Sequence, residues 1–307
     1  MRSLFPVVSL LSIVDMCQGF LCMSRTAPRG LMSMTGSLLK DKVYLVTGST
    51  DGIGRHTASR LAEEGATVLV HGRSDSRVRD TVDWLERKTG SDRVKGFVAD
   101  VSSLKGMNKL CDQVLAETDR LDCLINNAGV FEAKLHYSDD GVEYTFAVNV
   151  LAPFVITSRL LGLVERAPGG GRVVNVASLS ASYAVDFDNL QFEKGGYSDH
   201  AAYSLSKLLD IMFNAELARR APPTVTCNSL DPGTVNTKML QAGWGMCGIP
   251  LERANNQFYL ATSTQVAGST GGYYVGGRQY NPPPPARDAE ACRKLWGILE
   301  EMSGVEY

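Results

Sequence analysis

From residue 43 onward, short runs of apolar residues alternate with longer segments in which apolar residues recur every three or four positions. Short runs rich in β-branched residues are typical of strands, and the wider recurrence is typical of helices. Strands are predicted at 43–46, 67–71, 94–98, 123–126, 172–177, 224–229 and 270–275, the last at the sheet edge. Helices are predicted between and after them, including 138–165, 200–220 and 288–302. This alternation predicts one α/β domain over residues 37–307, with a doubly wound parallel sheet covered by helices on both faces.

The first 36 residues differ from this pattern. An apolar run over residues 4–14 follows Arg2, and it is too short to cross a bilayer but fits the apolar part of a signal peptide. The next stretch is rich in Ser, Thr, Arg and Met and has no acid before Asp41, as in a transit peptide. We therefore predict an organellar targeting leader over residues 1–36, with the bipartite order used by plastids that extra membranes enclose. A mitochondrial leader, entry into the secretory pathway and a disordered tail on a cytoplasmic protein are the alternatives.

Composition and charge exclude several classes of function. The 307 residues carry a net charge of −2, so nothing attracts nucleic acid or an anionic membrane. The seven cysteines lack the paired short spacing of a disulfide framework or a zinc site, and Cys123 and Cys227 lie in apolar runs as core residues do. We expect no metal, no nucleic-acid partner and no stable membrane span.

Polar residues gather where the predicted strands end. The first strand leads through the glycine-rich turn 47–54 into a helical segment, and unpaired N–H groups at a helix start bind phosphate well. The later strands end at Arg73, Asp100, the NNAG segment 126–129, Ser178 and the DPG segment 231–233. Doubly wound sheets bind ligands at the carboxyl ends of their strands, so these residues predict one cleft.

Tyr203 and Lys207 are the strongest candidates for acid–base chemistry. They lie four residues apart on a predicted helix and therefore share a face. Alone this spacing says little, but here it accompanies the glycine turn, the NNAG segment and a serine at a strand end. Tyr197 has no lysine four residues later, and Ser180 lies two positions beyond Ser178, so both are weaker candidates.

Taken together, these motifs resemble those of the short-chain dehydrogenase/reductase family. The matches cover about residues 40–275 in the family's order: TGSTDGIG (47–54), Asp100-Val101, NNAG (126–129), Asn149, Ser178, Tyr203-x-x-x-Lys207 and Asp231-Pro232-Gly233-Thr234. The 25 residues from Ser178 to Tyr203 and the segment DNLQFEKGGYSDHAAYSLSKL are similar to the retinol-dehydrogenase-like and protochlorophyllide-reductase-like branch. The resemblance implies a Rossmann-type fold.

The resemblance also implies how the residues act. Hydride moves between a nicotinamide cofactor and a carbonyl or alcohol carbon, and Tyr203 is the acid/base. A free phenol has a pKa of about 10, which Lys207 would lower while also binding the cofactor ribose. Ser178 would hold and polarise the substrate oxygen. Asn149 would hold a water that links Lys207 to solvent, with a satisfied buried amide as the alternative.

The cofactor is predicted from the end of the second strand. NAD enzymes place an acid there for the ribose 2′-hydroxyl, whereas this chain has Gly72 followed by Arg73, which suits a 2′-phosphate. We therefore predict NADP(H), with NAD(H) as the alternative; Asp51 either caps the helix or faces the cofactor. The resemblance assigns the other cofactor contacts to Gly48, Ser49, Thr50, Gly52, Ile53, Gly54, Asp100, Val101, Asn126, Ala128, Gly129, Pro232, Gly233, Thr234, Val235 and Thr237, together with Tyr203 and Lys207.

The substrate is predicted from the region after the sixth strand. Residues 238–256 would form a substrate loop with an apolar wall, made of Met239, Leu240, Trp244, Met246, Ile249 and the nearby Phe258, unless some of these belong to the core. This wall predicts a small, hydrophobic carbonyl or alcohol: retinoid-like, steroid-like, prenyl or aromatic. The resemblance makes helices 138–165 and 200–220 the expected surface for a homo-oligomer, and it leaves the oligomeric state open. The competing function is a non-catalytic NADP(H)-binding regulator that senses redox state, for which the glycine turn alone suffices.

Overall fold

A computed structural model of the chain describes residues 39–306. Within these residues, one sheet contains all eight strands in the order β3-β2-β1-β4-β5-β6-β7-β8, and every neighbouring pair is parallel except β7–β8. The strands are β1 (Val43–Val46), β2 (Thr67–Gly72), β3 (Val94–Val98), β4 (Cys123–Asn126), β5 (Gly171–Val176), β6 (Val225–Asp231), β7 (Tyr273–Val275) and β8 (Arg278–Tyr280). The predicted doubly wound fold is confirmed. The predicted leader lies outside the described residues, so it stays a prediction.

Helices cover both faces of the sheet. They are α1 (Gly52–Glu63), α2 (Asp75–Thr89), α3 (Leu104–Glu117), α4 (Tyr144–Phe146), α5 (Ala152–Glu165), α6 (Asp199–Arg220), α7 (Lys238–Trp244), α8 (Asn256–Thr262), α9 (Pro284–Arg287) and α10 (Ala289–Ser303), with short 3₁₀ turns at Leu251–Arg253 and Thr264–Val266. One core lies between the sheet and helices α3, α5, α6 and α10. A second core lies on the other face, beneath α1, α2 and α8. Both Cys123 and Cys227 are fully buried, as predicted.

Two predicted elements differ from the structure. The predicted strand 270–275 is ordered as a strand only at Tyr273–Val275, and it is not at the edge because β8 pairs beyond it. All three residues of β8 are exposed, so the strand has no apolar alternation to reveal it. The predicted helix 138–165 begins only at Tyr144, since Tyr137 and Glu143 form an isolated bridge instead.

A π-helical turn, Ala147–Leu151, joins α4 to α5. Proline has no backbone N–H, so Pro153 cannot donate to the carbonyl of Asn149, its partner in a regular α-helix. The wider turn places Asn149 in the interior, where it is completely buried. Its side-chain oxygen accepts a hydrogen bond from the N–H of Val130, the residue that follows the NNAG segment. Turns of this kind are frequent at functional sites.

The region where chain pairing was predicted is partly covered by the chain itself. In the first core, the Trp296 ring of α10 lies 5.1 Å from Phe154 of α5 and 5.8 Å from Phe213 of α6. Pairing through these helices stays a prediction.

Among the described residues, one helical segment, Tyr144–Glu165, is long and apolar enough to cross a membrane, but most of it is buried within the protein, as in the core helix of a globular fold.

Candidate active site

A cavity of about 430 Å³ lies at the carboxyl edge of the sheet, between the glycine turn and the start of α6. Its wall includes most of the predicted site residues: Gly48, Thr50, Gly52, Ile53, Gly54, Arg73, Asp100, Val101, Ala128, Gly129, Tyr203, Lys207, Pro232 and Thr237. The wall also contains residues to which sequence analysis assigned no role, among them His71, Arg77, Asn127, Tyr144, Val148 and Lys238. The strand ends thus meet in one cleft, as the pattern of polar residues indicated.

The glycine turn brings the start of α1 to this cavity. Gly48 has a φ of +64°, and a Cβ there would lie 2.8 Å from the backbone Cα of Ala128, so only glycine fits. Asp51 caps α1, because its side chain accepts a hydrogen bond from the Gly52 N–H at 2.8 Å. The N–H groups of Ile53 and Gly54 lie in the first turn, where a helix offers no internal acceptor. They remain suited to an anionic ligand.

His71 holds the glycine turn through a hydrogen bond. Its Nδ1 accepts a hydrogen bond from the Gly48 N–H at 3.2 Å, which requires Nε2 to carry the proton, and Nε2 lies 3.1 Å from the carbonyl oxygen of Ala99. Burial lowers the pKa of His71 to about 4, so the ring is neutral at physiological pH. The one sign of this role in the sequence was a histidine within an otherwise apolar strand. His71 contacts the glycine turn in the fold but lies 23 residues after Gly48 in the sequence.

Three cations surround one end of the cavity: Arg73, Arg77 and Lys238. Arg73 Nη1 donates to the Tyr144 hydroxyl at 2.9 Å, while Arg77 and Lys238 reach Asp51 Oδ2 at 2.9 and 2.8 Å. Burial alone would raise the pKa of Asp51, but hydrogen bonds from Lys238 and the Gly52 N–H lower it. A helix N-terminus with three cations fits the phosphates of a dinucleotide that carries an additional 2′-phosphate.

Some predicted cofactor residues support the cavity instead of lining it. The Ser49 hydroxyl donates to the Val46 carbonyl at 2.7 Å and accepts from the His71 N–H at 3.0 Å, so it faces the sheet. Asn126 Nδ2 points into the core, toward Thr157 and Asn175, and its neighbour Asn127 lines the cavity. Gly233, Thr234 and Val235 also lie outside the wall.

Tyr203 and Lys207 meet at the other end of the cavity, as predicted. The ammonium of Lys207 lies 5.8 Å from the centre of the Tyr203 ring. It donates to the Val176 carbonyl at 2.8 Å and to Asp210 Oδ2 at 2.9 Å. Ser178 lies near enough to Tyr203 for its hydroxyl to lower the pKa of the phenol, although Ser178 does not itself line the cavity. The structure therefore brings together the three side chains that the sequence suggested for acid–base chemistry.

The charges around Tyr203 oppose one another. Burial raises the pKa of the phenol; Lys207 and the Ser178 hydroxyl lower it, and the carboxylates of Asp231 and Asp210 raise it. The effect of Lys207 has the predicted sign, but burial outweighs it and the pKa stays above its ordinary value. For Lys207, burial alone would lower the pKa, but Asp210 and Tyr203 raise it, so the ammonium keeps its proton.

Asp231 fixes the loop that carries Ser178. One carboxylate oxygen accepts from the Leu179 N–H and the other from the Gly233 N–H, each at 2.8 Å. The Ser178 Oγ also accepts from the Ser180 N–H at 3.0 Å. The alternative tyrosine, Tyr197, donates to the Glu132 carbonyl at 2.9 Å. The geometry thus favours Ser178 and Tyr203 over their alternatives.

A comparison with protein families and curated proteins agrees with this site. The family model described as short chain dehydrogenase matches residues 42–245, which include the glycine turn and both Tyr203 and Lys207. The chain belongs to the short-chain dehydrogenase family. Retinol dehydrogenase 14 of Mus musculus is 35% identical over 294 residues, covering 87% of each chain. Polyprenol dehydrogenase of Homo sapiens is 32% identical over 284 residues, covering 86% of each chain.

Solved short-chain dehydrogenases share the fold. A short chain dehydrogenase from Shigella flexneri complexed with NADP superposes with a TM-score of 0.64 at 23% identity, over 78% of this chain and 99% of that chain. The Pseudomonas aeruginosa RhlG/NADP active-site complex has a TM-score of 0.64 at 26% identity, over 79% and 98%. The resemblance to the retinol-dehydrogenase-like branch is confirmed by the curated relatives.

In this short-chain dehydrogenase the side chain of Asn149 is fully occupied. Its Oδ1 accepts from the Val130 N–H at 2.8 Å, and its Nδ2 donates to the Val130 carbonyl at 3.1 Å and to Ser206 Oγ at 2.9 Å. The side chain fits the alternative of a satisfied buried amide. Its contacts hold Val130, which lines the cavity, against α6.

Aromatic side chains surround Tyr203. The rings of Phe131 and Trp244 lie 5.7 and 5.4 Å from that of Tyr203, and 5.0 Å from each other. Met239 lines the cavity, while Met246 and Ile249 are exposed. Phe258 lies against Arg60 and the core of the opposite face, because α8 packs beside α1. The apolar wall is therefore smaller than predicted and more aromatic.

Proposed function

We propose that this protein is an NADP(H)-dependent oxidoreductase that interconverts a carbonyl and an alcohol on a small hydrophobic substrate. The observation that carries the proposal is the meeting of Tyr203, Lys207 and Ser178 at one end of a cavity whose other end has a helix N-terminus and three cations. Two solved structures of the same fold are complexes with NADP, which supports this cofactor. A nicotinamide cofactor, when bound, supplies or accepts the hydride.

The residues of the chain would bind the cofactor, hold the substrate oxygen and transfer the proton. The first turn of α1 and the cations Arg73, Arg77 and Lys238 would hold the phosphates. Lys207 has two of its three N–H donors occupied by Val176 and Asp210, which leaves one for a ribose hydroxyl.

At the reacting centre, Ser178 would hold the substrate oxygen and Tyr203 would exchange the proton with that oxygen. The main-chain carbonyl of Asn149, which Pro153 leaves without its usual helical donor, would bind the water that connects Lys207 to solvent.

We propose a substrate with an extended apolar chain or ring next to the reacting carbon. Phe131 and Trp244 border Tyr203, so the part of the substrate beside the reacting group would lie against aromatic faces. Relatives named as retinol and polyprenol dehydrogenases support the retinoid-like and prenyl classes among those predicted. Those relatives give no support to the competing regulator function, since they are named as dehydrogenases.

Turnover of a substrate panel tests this proposal. The protein is supplied with NADPH and a retinoid aldehyde, a prenyl aldehyde, a steroid ketone, an aromatic aldehyde and a short aliphatic aldehyde, and with NADP⁺ and the matching alcohols. We expect turnover of at least one apolar compound, with the short aldehyde poorest. In Trp244→Ala the KM for that apolar compound should rise by about tenfold, while the KM for the short aldehyde should change little. Binding of NADPH without turnover of any compound would favour the regulator.

A further inference from the structure

Asp210 is a buried carboxylate to which the proposed reaction gives no role. It lies on α6, three residues after Lys207, and its side chain is 4% exposed. Its Oδ2 accepts a hydrogen bond from the Lys207 ammonium at 2.9 Å, and the Lys207 side chain is itself 6% exposed. Burial raises the pKa of Asp210 to about 6, against the opposing effect of Lys207, so both members of the pair are charged at neutral pH.

The helix places Asp210 behind Lys207 as seen from the cavity. Residues seven positions apart lie on one face of an α-helix, separated by about 10 Å along its axis. Tyr203 and Asp210 have this spacing, with Lys207 between them. Lys207 and Tyr203 line the cavity, whereas Asp210 does not. The carboxylate can therefore influence the phenol only through Lys207 and through the interior, where solvent screens charges weakly.

The other charged and titratable groups near the phenol do not cancel this effect. On β6, Asp231 contributes a second buried carboxylate, which also raises the pKa of Tyr203. On β7, Tyr273 is buried and its pKa is raised by burial and by nearby Asp231. His200, one turn before Tyr203 on α6, is exposed and bonds to Asp199 and the Gly243 carbonyl. Among these groups of the described structure, Lys207 is the buried cation, and it faces two buried carboxylates.

We propose that Asp210 is a positioning residue that offsets the charge of Lys207 and disfavours the phenolate of Tyr203, so that oxidation of an alcohol requires a higher pH than it would without this carboxylate. The inference rests on the proposed function and adds a pH dependence to it. Reduction consumes one proton, which passes from the Tyr203 hydroxyl to the carbonyl oxygen. A proton from solvent then restores the phenol. Oxidation needs the phenolate as the base, and the carboxylate of Asp210 disfavours that form.

Titration of Tyr203 in the cofactor-free protein tests this inference without any turnover. Tyrosine labelled with ¹³C at Cζ gives one NMR signal per ring, and the signal lost in Tyr203→Phe identifies residue 203. Asp210→Asn retains an acceptor for Lys207 but removes the charge. We expect the pKa of Tyr203 to fall by about one unit in this variant, as for a unit charge about 10 Å away at an effective dielectric constant of 20.

Matched variants separate charge from structure. Asp199→Asn makes the same change on the same helix, but the Asp199 side chain is 35% exposed and solvent screens its charge, so the pKa of Tyr203 should change by less than about 0.3 unit. Asp210→Glu retains the charge and should keep the wild-type value. Asp210→Ser, which fits the same space, is the second neutral variant if Asp210→Asn fails to fold. A Tyr203 pKa that is unchanged or higher in the neutral variants would overturn the inference.

A kinetic measurement then connects the titration to the reaction. The pH profile of kcat/KM for alcohol oxidation should move toward acid by the same amount in Asp210→Asn. A shifted NMR titration with no turnover in any variant would uphold the role of Asp210 and remove the proposed function. An unshifted titration with normal turnover would overturn the role of Asp210 and leave the proposed function in place.

Discussion

The two ends of the cavity are built on different physical principles. The nucleotide end consists of a glycine turn, backbone N–H groups and cations at the surface, and its one buried titratable group, His71, is neutral. The catalytic end consists of buried ionisable side chains, Tyr203, Lys207, Asp210 and Asp231, whose pKa values all depart from their ordinary ranges. In the proposed function, the first end would recognise a ligand that brings its own charge. The second end would control the position of a proton through burial and opposing charges.

The largest effect expected from this contrast concerns His71 in the nucleotide end. Its folded-state pKa of about 4 lies below the ordinary 6.5, so the stabilisation it gives is complete above pH 6.5 and is lost as the pH falls through 4. The loss amounts to about 3 kcal/mol of unfolding free energy. His71→Asn keeps an acceptor for the Gly48 N–H but does not titrate. Urea unfolding at several pH values should show a flatter profile for the variant, and identical profiles would contradict the role of His71.

A smaller effect is expected from close packing in the glycine turn. Gly48 and Gly90 have nearly equal φ values of +64° and +67°, but only Gly48 faces a backbone atom, since nothing lies within 4 Å of a Cβ at Gly90. Gly90→Ala should cost about 1 kcal/mol for its conformation alone. Gly48→Ala should cost about 2 kcal/mol and also weaken NADPH binding by about tenfold. Equal costs, measured by urea unfolding, would show that the contact with Ala128 is unimportant.

The smallest effect concerns the choice between the two cofactors. In Arg73→Asp the ratio of NADPH to NADH affinity should fall by tenfold or more, about 1.4 kcal/mol, because the guanidinium that suits a 2′-phosphate is replaced by an acid. Arg77 also lines the cavity but is bonded to Asp51, so Arg77→Ala should change the ratio by less than about threefold. Calorimetric titration with both cofactors measures the ratios. If Arg77→Ala changes the ratio more than Arg73→Asp, Arg77 is the specificity residue.

The same contrast explains what could be predicted from the sequence. The fold and the nucleotide end follow from local signals, since a strand, a glycine turn and a helix are contiguous in residues 43–63. Tyr203 and Lys207 were also found, because they are neighbours on one helix. Asn126 was placed wrongly relative to Asn127, since adjacent residues at a strand end point in opposite directions.

The rest depends on contacts between distant segments. His71 acts on a turn 23 residues earlier, and Asp231 on a loop 52 residues earlier. No spacing rule reveals such pairs in a single sequence. Phe258 belongs to the opposite core for the same reason, because only the packing of α8 beside α1 decides which face of the sheet it joins.

The most direct test of the account separates the two ends in one variant. Tyr203→Phe removes only the hydroxyl, and we predict that the Kd for NADPH stays within about twofold of the wild-type value. With the best compound from the substrate panel, kcat/KM should fall by at least 100-fold, as expected for the loss of a general acid. Turnover by Tyr203→Phe within tenfold of the wild type, at unchanged NADPH affinity, would contradict the assignment of Tyr203 as the proton donor.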